Sequence, residues 1–306
     1  MRLRQPVVAG QFYPADRASC TRQIEQSLPN RLPDNLPERI VAGVVPHAGW
    51  VFSGPTAARL FAAIQSQFQP DTVVLLSAMH RWGTAQAAVY SSGAWATPLG
   101  EVRVDEELAQ AVLAEGSGQL LDAPHAHSGE HSAEVQVPFI KHLFPQARIL
   151  PIVVPPDDQA VSVGETVGRA IATAQKSAVV IGTSDLTHYG ASYYGFAPAG
   201  SGERALEWAR ANDERIIRLM LEMRAEEVVA EAESHHNACG SGVRLTPRPE
   251  THGRRRRCPF HRRIVNTCWL WPVRPSPGNW KGRSHQRLTC SGCRRTCADL
   301  GRRSSR

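Results

Sequence analysis

Short apolar runs rich in β-branched residues alternate along the chain with longer segments of helical periodicity, and this alternation restricts the fold more than any other feature. The runs occupy residues 40–45, 72–76, 148–154 and 177–182. Each run has the length of a strand, whereas the segments 55–68 and 158–174 repeat apolar residues at helical spacing. Strands that alternate with helices pair in parallel. The sequence therefore predicts an α/β protein with a mainly parallel sheet and helices on both faces.

Weaker patterns predict the remaining elements. A further strand is expected over residues 87–90, and helices are expected over 104–115, 137–144, 203–223 and 225–232. The polar, histidine-rich stretch 121–134 is interpreted as loop. Ser53 and Pro55 are residue types common at a helix start, so the helix after the first strand is predicted to begin near Pro55.

Charge divides the chain into two parts near residue 242. Residues 243–306 contain 17 Lys and Arg against 2 Asp and Glu, whereas residues 1–242 contain 18 against 26. Five of the seven cysteines also lie in the basic part. We therefore expect one α/β domain over 1–242, which is incomplete at its C-terminal end, and an atypical basic tail over 243–306.

The tail has three interpretations. Its Arg, Pro, Cys, Trp and Ser content without a helical or strand period is typical of out-of-frame translation of a GC-rich gene, which we favour. The alternatives are a disordered basic tail and a nucleic-acid-binding arm, because clustered arginines such as Arg254–Arg257 neutralise phosphates. Cys290, Cys293 and Cys297 have metal-like spacing but lack a fourth ligand pattern. Nucleic acid is therefore not an expected partner.

The location is expected to be cytoplasmic. No apolar run approaches the roughly 20 residues that span a bilayer, and the N-terminus lacks the apolar segment of a signal peptide. Only Cys20 and Cys239 lie in residues 1–242, so this part is not a disulfide scaffold and suits a reducing compartment. Cys20 is expected to be structural.

Histidine or aspartate follows three of the predicted strands. His47 comes after the first strand, His80 after the second, and Asp185 with His188 after the strand at 177–182. Ligands of open α/β sheets bind beyond the carboxyl ends of the strands. If the strands are parallel, these four side chains meet at one edge of the sheet, which predicts a shared functional site.

One motif near this site suggests different chemistry. His127-Ser128-Gly129-Glu130-His131 matches the H-x-x-E-H pattern of a zinc protease class. That chemistry requires both histidines on one helical face, and Gly129 opposes a helix there. A protease is therefore not favoured.

Six segments, taken together, resemble the Memo family, whose bacterial members are called AmmeMemoRadiSam system protein B. The resemblance covers residues 5–242. Its segments are Val8-Ala9-Gly10-Gln11-Phe12-Tyr13-Pro14, Pro46-His47-Ala48-Gly49, Ser77-Ala78-Met79-His80, Glu130-His131-Ser132-Ala133-Glu134-Val135-Gln136, Ser184-Asp185-Leu186-Thr187-His188-Tyr189-Gly190 and Asn237-Ala238-Cys239-Gly240.

The resemblance implies a fold similar to class III extradiol ring-cleaving dioxygenases and a metal site. The implied ligands are His47, His80 and Cys239, with Asp185 and His188 beside them. His131 belongs to the same pocket, so His188, Asp185 and His131 are the candidate catalytic residues. Cys239 has an alternative role as a buried small hydrophobe. Family members continue past the Cys-Gly motif with further helix and strand, from which this sequence departs.

Two functions of different class follow from this reading. The first is a metal-dependent oxidoreductase acting on a small molecule, with iron expected and copper or zinc as alternatives, since thiolate and imidazole suit all three. The second is a non-catalytic module that binds metal or peptide in a dioxygenase-like cleft. The resemblance also implies partnership with a radical SAM protein and an AMMECR-type protein. No membrane partner is expected, because no apolar run is long enough to span a bilayer.

Overall fold

The computed structural model of the chain describes residues 2–80, 84–192 and 194–238. All of the described residues belong to one unit. Its α-helices in this part of the chain are α1 (Arg17–Ser27), α2 (Trp50–Gln65), α3 (Glu106–Glu115), α4 (Val137–Leu143), α5 (Gln159–Ala174), α6 (Glu203–Leu221) and α7 (Ala225–His235). Its strands are β1 (Leu3–Arg4), β2 (Ala42–Val45), β3 (Thr72–Ser77), β4 (Ala87–Val89), β5 (Ala94–Thr97), β6 (Gly100–Arg103), β7 (Leu120–Asp122), β8 (Arg148–Val153) and β9 (Ala178–Thr183).

Six strands form the main sheet in the order β2-β9-β3-β8-β4-β7. The first four strands run parallel to one another. Strand β4 is antiparallel to β8, and β7 is parallel to β4. The central strands β3, β8 and β9 are almost fully buried apolar runs, as expected for a sheet covered on both faces. The predicted α/β class with a mainly parallel sheet is confirmed.

Two hydrophobic cores lie on opposite faces of this sheet, because successive side chains of a strand point to opposite sides. Val73 and Leu75 of β3 pack in the core that contains α1, α2 and α4. Val74 and Leu76 pack in the core that contains α3 and α5. A third, smaller cluster joins α6 to α7 around Ile216. The alternation along β3 therefore places helices on both faces.

A second sheet, which the sequence analysis did not predict, has the order β1-β5-β6. Strands β5 and β6 form an antiparallel hairpin, and β1 adds in parallel to β5. Gly93 precedes the hairpin with a φ of 96°, and a side chain there would collide with the carbonyl of Arg2. Glycine is therefore required where β1 approaches β5.

The helix after β2 begins at Trp50, five residues before the predicted start near Pro55. Gly49 is its N-cap, and the Ser53 hydroxyl donates to the carbonyl of Ala48 inside the first turns. Pro55 therefore lies inside the helix rather than in its first turn, and its side chain is exposed. The main-chain N–H of Trp50 is satisfied from outside by the carbonyl of Phe12. The prediction of Ser53 as a cap was therefore wrong.

The stretch 121–134 is loop only in part. Its first residues complete β7 at the sheet edge, and a short 3-10 helix follows at Pro124–His127. A second 3-10 helix, Glu134–Gln136, leads into α4. No α-helix contains the His127-to-His131 motif, as Gly129 predicted.

The predicted boundary at residue 242 and the tail over 243–306 lie outside the described residues, so both stay predictions. Among the helices that the structure describes, none is both long and apolar enough to cross a bilayer. Cys20 is fully buried in α1, and burial raises the pKa of its thiol to about 12. A thiol of this kind stays protonated near neutral pH, which agrees with a structural role.

Candidate metal centre

Three adjacent strands of the main sheet end at the same edge and deliver the predicted site residues there. Val45 of β2 pairs with Thr183 of β9, and Leu76 of β3 pairs with Gly182 of β9. His47, Asp185 and His80 follow these strand ends by two or three residues. The edge formed by the carboxyl ends of β2, β9 and β3 is called the site edge below.

Three histidines converge at the site edge. His47, His80 and His131 each present a ring nitrogen, and these nitrogens all lie within 4.8 Å of one another. The ring centroid of His47 is 5.2 Å from that of His80 and 5.7 Å from that of His131. The ring of His80 stacks on that of His131, with centroids 4.5 Å apart. His47 is buried, His131 is half-buried and the side chain of His80 is 34% exposed. The cluster therefore opens to solvent on the side of His80.

The buried carboxylate of Glu130 connects two members of this cluster. It lies 2.9 Å from Nδ1 of His80 and accepts the main-chain N–H of His80 at 2.8 Å. It also accepts the main-chain N–H of His131 at 2.9 Å and both the N–H and the hydroxyl of Ser132 at 2.8 Å. One side chain thus fixes the loop after β3 against the loop that carries His131.

Asp185 plays the corresponding role for the loop after β2. Its Oδ1 accepts the main-chain N–H groups of His47 at 2.7 Å and of Ala48 at 3.1 Å. Its Oδ2 lies 4.0 Å from Nε2 of His47 and 3.9 Å from Nε2 of His188. The Asp185 carboxylate therefore lies between the histidine cluster and His188.

Burial and charge give the three histidines different proton affinities. Burial lowers the pKa of His47 to about 4, although the charge of Asp185 opposes the change. Burial and the charge of His80 also lower the pKa of His131. Burial of His80 acts in the same direction, but its hydrogen bond to Glu130 and the charge of that carboxylate outweigh burial and raise the pKa of His80. At neutral pH His47 and His131 are neutral.

The carboxyl of Glu130 is ionised for the complementary reason. Burial alone would favour its protonated form, but the hydrogen bond and charge of His80 and the N–H of Ser132 outweigh burial. The pKa of Glu130 is therefore held well below its usual range.

The N-terminal segment closes one side of the cluster. The ring of Phe12 meets His131 edge-on with centroids 4.9 Å apart. Glu134 holds this segment through the N–H groups of Val7 and Val8 and through the hydroxyl of Tyr13 at 3.0 Å. Burial and the charge of Glu134 raise the pKa of Tyr13 well above its usual range. The V-A-G-Q-F-Y-P motif is therefore part of the wall of the site.

A buried arginine completes this wall. Arg4 forms an ion pair with Glu134 at 2.8 Å, with both side chains almost fully buried. Its guanidinium also donates to the carbonyls of His127 and Glu130 and stacks over the ring of Trp95. No pattern in the sequence marks Arg4. Glu130 and Glu134 both belong to the Glu130-to-Gln136 segment, but no pattern there indicates the contacts that their carboxylates make.

The predicted site residues divide into three groups. His47, His80 and His131 come together, and Asp185 with His188 lie beside them. Cys239 lies outside the described residues, so its role as a ligand stays a prediction, as do the catalytic roles of His188, Asp185 and His131. His127 lies elsewhere, with Nε2 against the carbonyl of Ala88 and its ring among aromatic residues.

The chain leading to Cys239 is fixed to the Asp185 loop. The side-chain amide of Asn237, which is fully buried, donates to the carbonyl of Asn212 at 2.9 Å. The side-chain amide of Asn212 donates to the hydroxyl of Thr187 at 3.0 Å. Helix α6 thus holds the residue two positions before Cys239 next to the loop between Asp185 and His188.

The donor set suits a metal ion. Metal-binding histidines must be neutral, and burial keeps His47 and His131 in that form. Imidazole nitrogens suit iron, copper and zinc alike. Three ring nitrogens lie within 4.8 Å of one another, and a carboxylate holds one of the three rings. Metal sites use carboxylates in this way to orient their histidine ligands. The residues present therefore fit a divalent or redox metal.

Comparison with known proteins identifies the family of the chain. A sequence model of the Memo-like protein family matches residues 4–246. A MEMO1 family protein of Pyrobaculum arsenaticum is 41% identical over 199 residues, which are 62% of this chain and 70% of that protein. A MEMO1 family protein of Thermococcus kodakarensis is 40% identical over 255 residues, which are 78% of this chain and 84% of that protein. One of Pyrococcus abyssi is 38% identical over 250 residues, with the same coverage. The chain therefore belongs to the Memo family.

Proposed function

We propose that the protein is a metal-dependent oxidoreductase that acts on a small molecule. The observation that carries the proposal is the cluster of His47, His80 and His131, whose ring nitrogens lie within 4.8 Å of one another. These three residues would hold the metal, and Cys239 is proposed as a further ligand, as the family resemblance implies. Iron is the favoured metal, with copper and zinc as alternatives, because imidazole and thiolate bind all three.

The bound metal would supply Lewis acidity or redox chemistry at the site edge. His188 is proposed to hold a proton beside the metal. Its Nδ1 lies 3.0 Å from the carbonyl of Leu186, which can only accept, so Nδ1 carries the hydrogen and Nε2 is the basic nitrogen in the neutral ring. The Oδ2 of Asp185 lies 3.9 Å from that Nε2. His188 is therefore proposed as the acid and base, and Asp185 as the residue that supports it.

Access to the site comes from the solvent side of His80. The side chains of His80 and His188 are each about one-third exposed, whereas His47 is buried behind them. Phe12 lies against His131, and Tyr194 meets the ring of His188 edge-on at 4.9 Å. We propose that a small molecule bound at the cluster contacts these aromatic rings.

Oxygen consumption tests the proposal. The protein is loaded with iron(II) under anaerobic conditions and mixed with a panel of small reduced molecules in air-saturated buffer. We expect substrate-dependent oxygen uptake that falls by about 10²–10⁴-fold in His188→Gln with the iron content unchanged. His80→Ala prepared in the same way controls for loosely bound iron. Uptake that is equal in wild type, His188→Gln and His80→Ala would contradict the proposal.

A second candidate is a module that binds metal or peptide without turnover. Val51 and Phe52 favour it, since they follow the His47 loop directly and are 76% and 83% exposed. Exposed apolar residues beside a cleft are typical of a binding surface. Tight peptide binding by metal-loaded protein, weakened by Phe52→Ser and accompanied by no oxygen uptake, would support this function over the first.

Cooperation with a radical SAM protein and an AMMECR-type protein is also proposed, on the family resemblance alone. Co-purification of either protein with the tagged chain would support the association. Failure of both to co-purify, under conditions where the tagged chain is folded, would contradict it.

A further inference from the structure

Five hydrogen-bond donors from the described residues converge on the side chain of Glu130. The donors are the main-chain N–H groups of His80, His131 and Ser132, the hydroxyl of Ser132 and Nδ1 of His80. The side chain is only 3% exposed. A carboxylate accepts through about four lone-pair positions and donates through none, so this environment matches a carboxylate and excludes an amide.

This geometry fixes which nitrogen of His80 carries hydrogen. Oε1 of Glu130 lies 2.9 Å from Nδ1 of His80, and Oε2 lies 3.2 Å from the same atom. Because the carboxylate only accepts, Nδ1 must carry the hydrogen. In the neutral ring Nε2 then has the lone pair, and it is the nitrogen that can bind a metal.

The same carboxylate fixes the position of a second histidine. It binds the main chain of His131, so it determines the separation of the two loops that carry His80 and His131. Glu130 itself is fixed independently, because Arg4 donates to its main-chain carbonyl at 2.6 Å. The carboxylate is therefore placed by residues that do not belong to the cluster.

We propose that Glu130 is a positioning residue for the metal site, which holds His80 in the Nδ1–H form with Nε2 toward His47 and His131. The inference rests on the proposed function in one respect, namely that the three imidazoles hold a metal. Carboxylates that hold histidine ligands in this way are worth 10–100-fold in metal affinity.

The first experiment measures the affinity of the full chain for Zn²⁺ by competition with a chromophoric chelator. We expect Glu130→Gln to weaken Zn²⁺ binding by about 10–100-fold. The glutamine NH₂ group would face N–H and O–H groups that also donate, so those hydrogen bonds would be lost. Glu130→Asp keeps the carboxylate and is expected to give a smaller loss. Asp105→Asn is the matched control, since Asp105 is a buried carboxylate bonded to Thr72 at the opposite end of β3. Its Zn²⁺ affinity should equal that of wild type.

A second measurement needs no metal. Nitrogen-15 NMR of the imidazole groups, recorded at a pH where the ring of His80 is neutral, reports the tautomer of His80 in metal-free wild type and in Glu130→Ala. We expect the Nδ1–H form in wild type and a shift toward the Nε2–H form in Glu130→Ala. The Nε2–H form in wild type, or Zn²⁺ affinity within twofold of wild type in folded Glu130→Gln, would overturn the proposal. Wild type that binds no Zn²⁺ but shows the Nδ1–H form would instead overturn the proposed function.

Discussion

The carboxylate of Asp185 binds the main chain of His47 and also lies beside its ring. Oδ1 accepts the N–H of His47 at 2.7 Å, while Oδ2 is 4.0 Å from Nε2 of the same residue. One side chain from the end of β9 therefore fixes both the path of the loop after β2 and the charge next to its histidine. The two functions of Asp185 are separable by substitution.

Replacement of Asp185 should separate the two functions. Asp185→Asn keeps an oxygen that can accept from His47 and Ala48, whereas Asp185→Ala leaves both N–H groups without that acceptor. We expect the alanine variant to lose about 1–3 kcal/mol of unfolding free energy and the asparagine variant to lose less. Urea denaturation measures the difference. Equal stability of the two variants would show that the loop does not depend on this acceptor.

The buried ion pair between Arg4 and Glu134 should contribute strongly to the integrity of the N-terminal wall. Arg4→Ala leaves the Glu134 charge buried without its partner, and breaking such a pair typically costs about 3–5 kcal/mol. Urea denaturation of Arg4→Ala measures the loss. The exposed pair of Arg31 and Asp34 provides the control, since both side chains are about four-fifths exposed. Arg31→Ala should leave stability unchanged within error, and equal effects of the two substitutions would contradict the assignment.

His127 should make the protein less stable in acid. Burial lowers its pKa to about 3 in the folded state, whereas the unfolded chain has the ordinary value near 6.5. Below pH 6.5 the ring of His127 therefore binds a proton in the unfolded state but not in the folded state. The free energy of unfolding falls as the pH drops toward 3. Between pH 7.5 and pH 5 this group should remove about 2 kcal/mol.

The comparison of wild type with His127→Gln at these two pH values isolates that contribution. The variant should be less stable at pH 7.5, because it disturbs a buried ring, yet lose less stability on acidification. A variant whose stability depends on pH as strongly as wild type would contradict the assignment to His127.

Metal affinity should depend on pH through fewer than three histidines. The pKa of His47 is about 4 and that of His131 is lowered, whereas Glu130 raises the pKa of His80. Near pH 6.5 a metal therefore displaces fewer than three ring protons, so affinity in Cys239→Ser, which has no thiol proton to release, should fall by much less than a thousandfold for each pH unit of acidification. Zn²⁺ competition near pH 6.5 measures the slope. A slope near three would show that all three rings are protonated in the metal-free protein.

Asn237 should couple the stability of α6 and α7 to the site edge. It is fully buried and donates to the carbonyl of Asn212 and to Glu231. Asn237→Ala removes both bonds and should cost about 1–3 kcal/mol of unfolding free energy. Since Cys239 is only two residues away, the same variant should weaken metal binding if that cysteine is a ligand. Weaker binding in Cys239→Ser together with unchanged binding in Asn237→Ala would show that the cysteine is placed by other contacts.

The main sheet and the site edge were predictable because they depend on patterns that repeat along the chain. Runs such as Thr72–Ser77 identify buried strands, and parallel strands bring the residues after them to one edge. His47, His80 and Asp185 could therefore be grouped before any coordinates existed. The likeness to extradiol dioxygenases and the identity of the metal stay implications of the resemblance.

Other features had no such pattern. The hairpin of β5 and β6 has strands of four residues, too short for a clear alternation, and α2 contains a proline that marks a helix start in most sequences. The bond between Glu130 and His80 joins residues 50 positions apart through two irregular loops. The place of His131 within the cluster depends on the same contact. Sequence spacing cannot supply such long-range contacts between loops.

The central claim is that the three histidines hold a metal, and metal content tests it most directly. Protein purified without chelator is analysed by inductively coupled plasma mass spectrometry as wild type, His80→Ala and His125→Ala, the last being an exposed histidine outside the cluster. We expect close to one iron, copper or zinc ion per chain in wild type and His125→Ala, and a loss of that metal in His80→Ala. Equal metal in all three proteins, or none in well-folded wild type, would contradict the account.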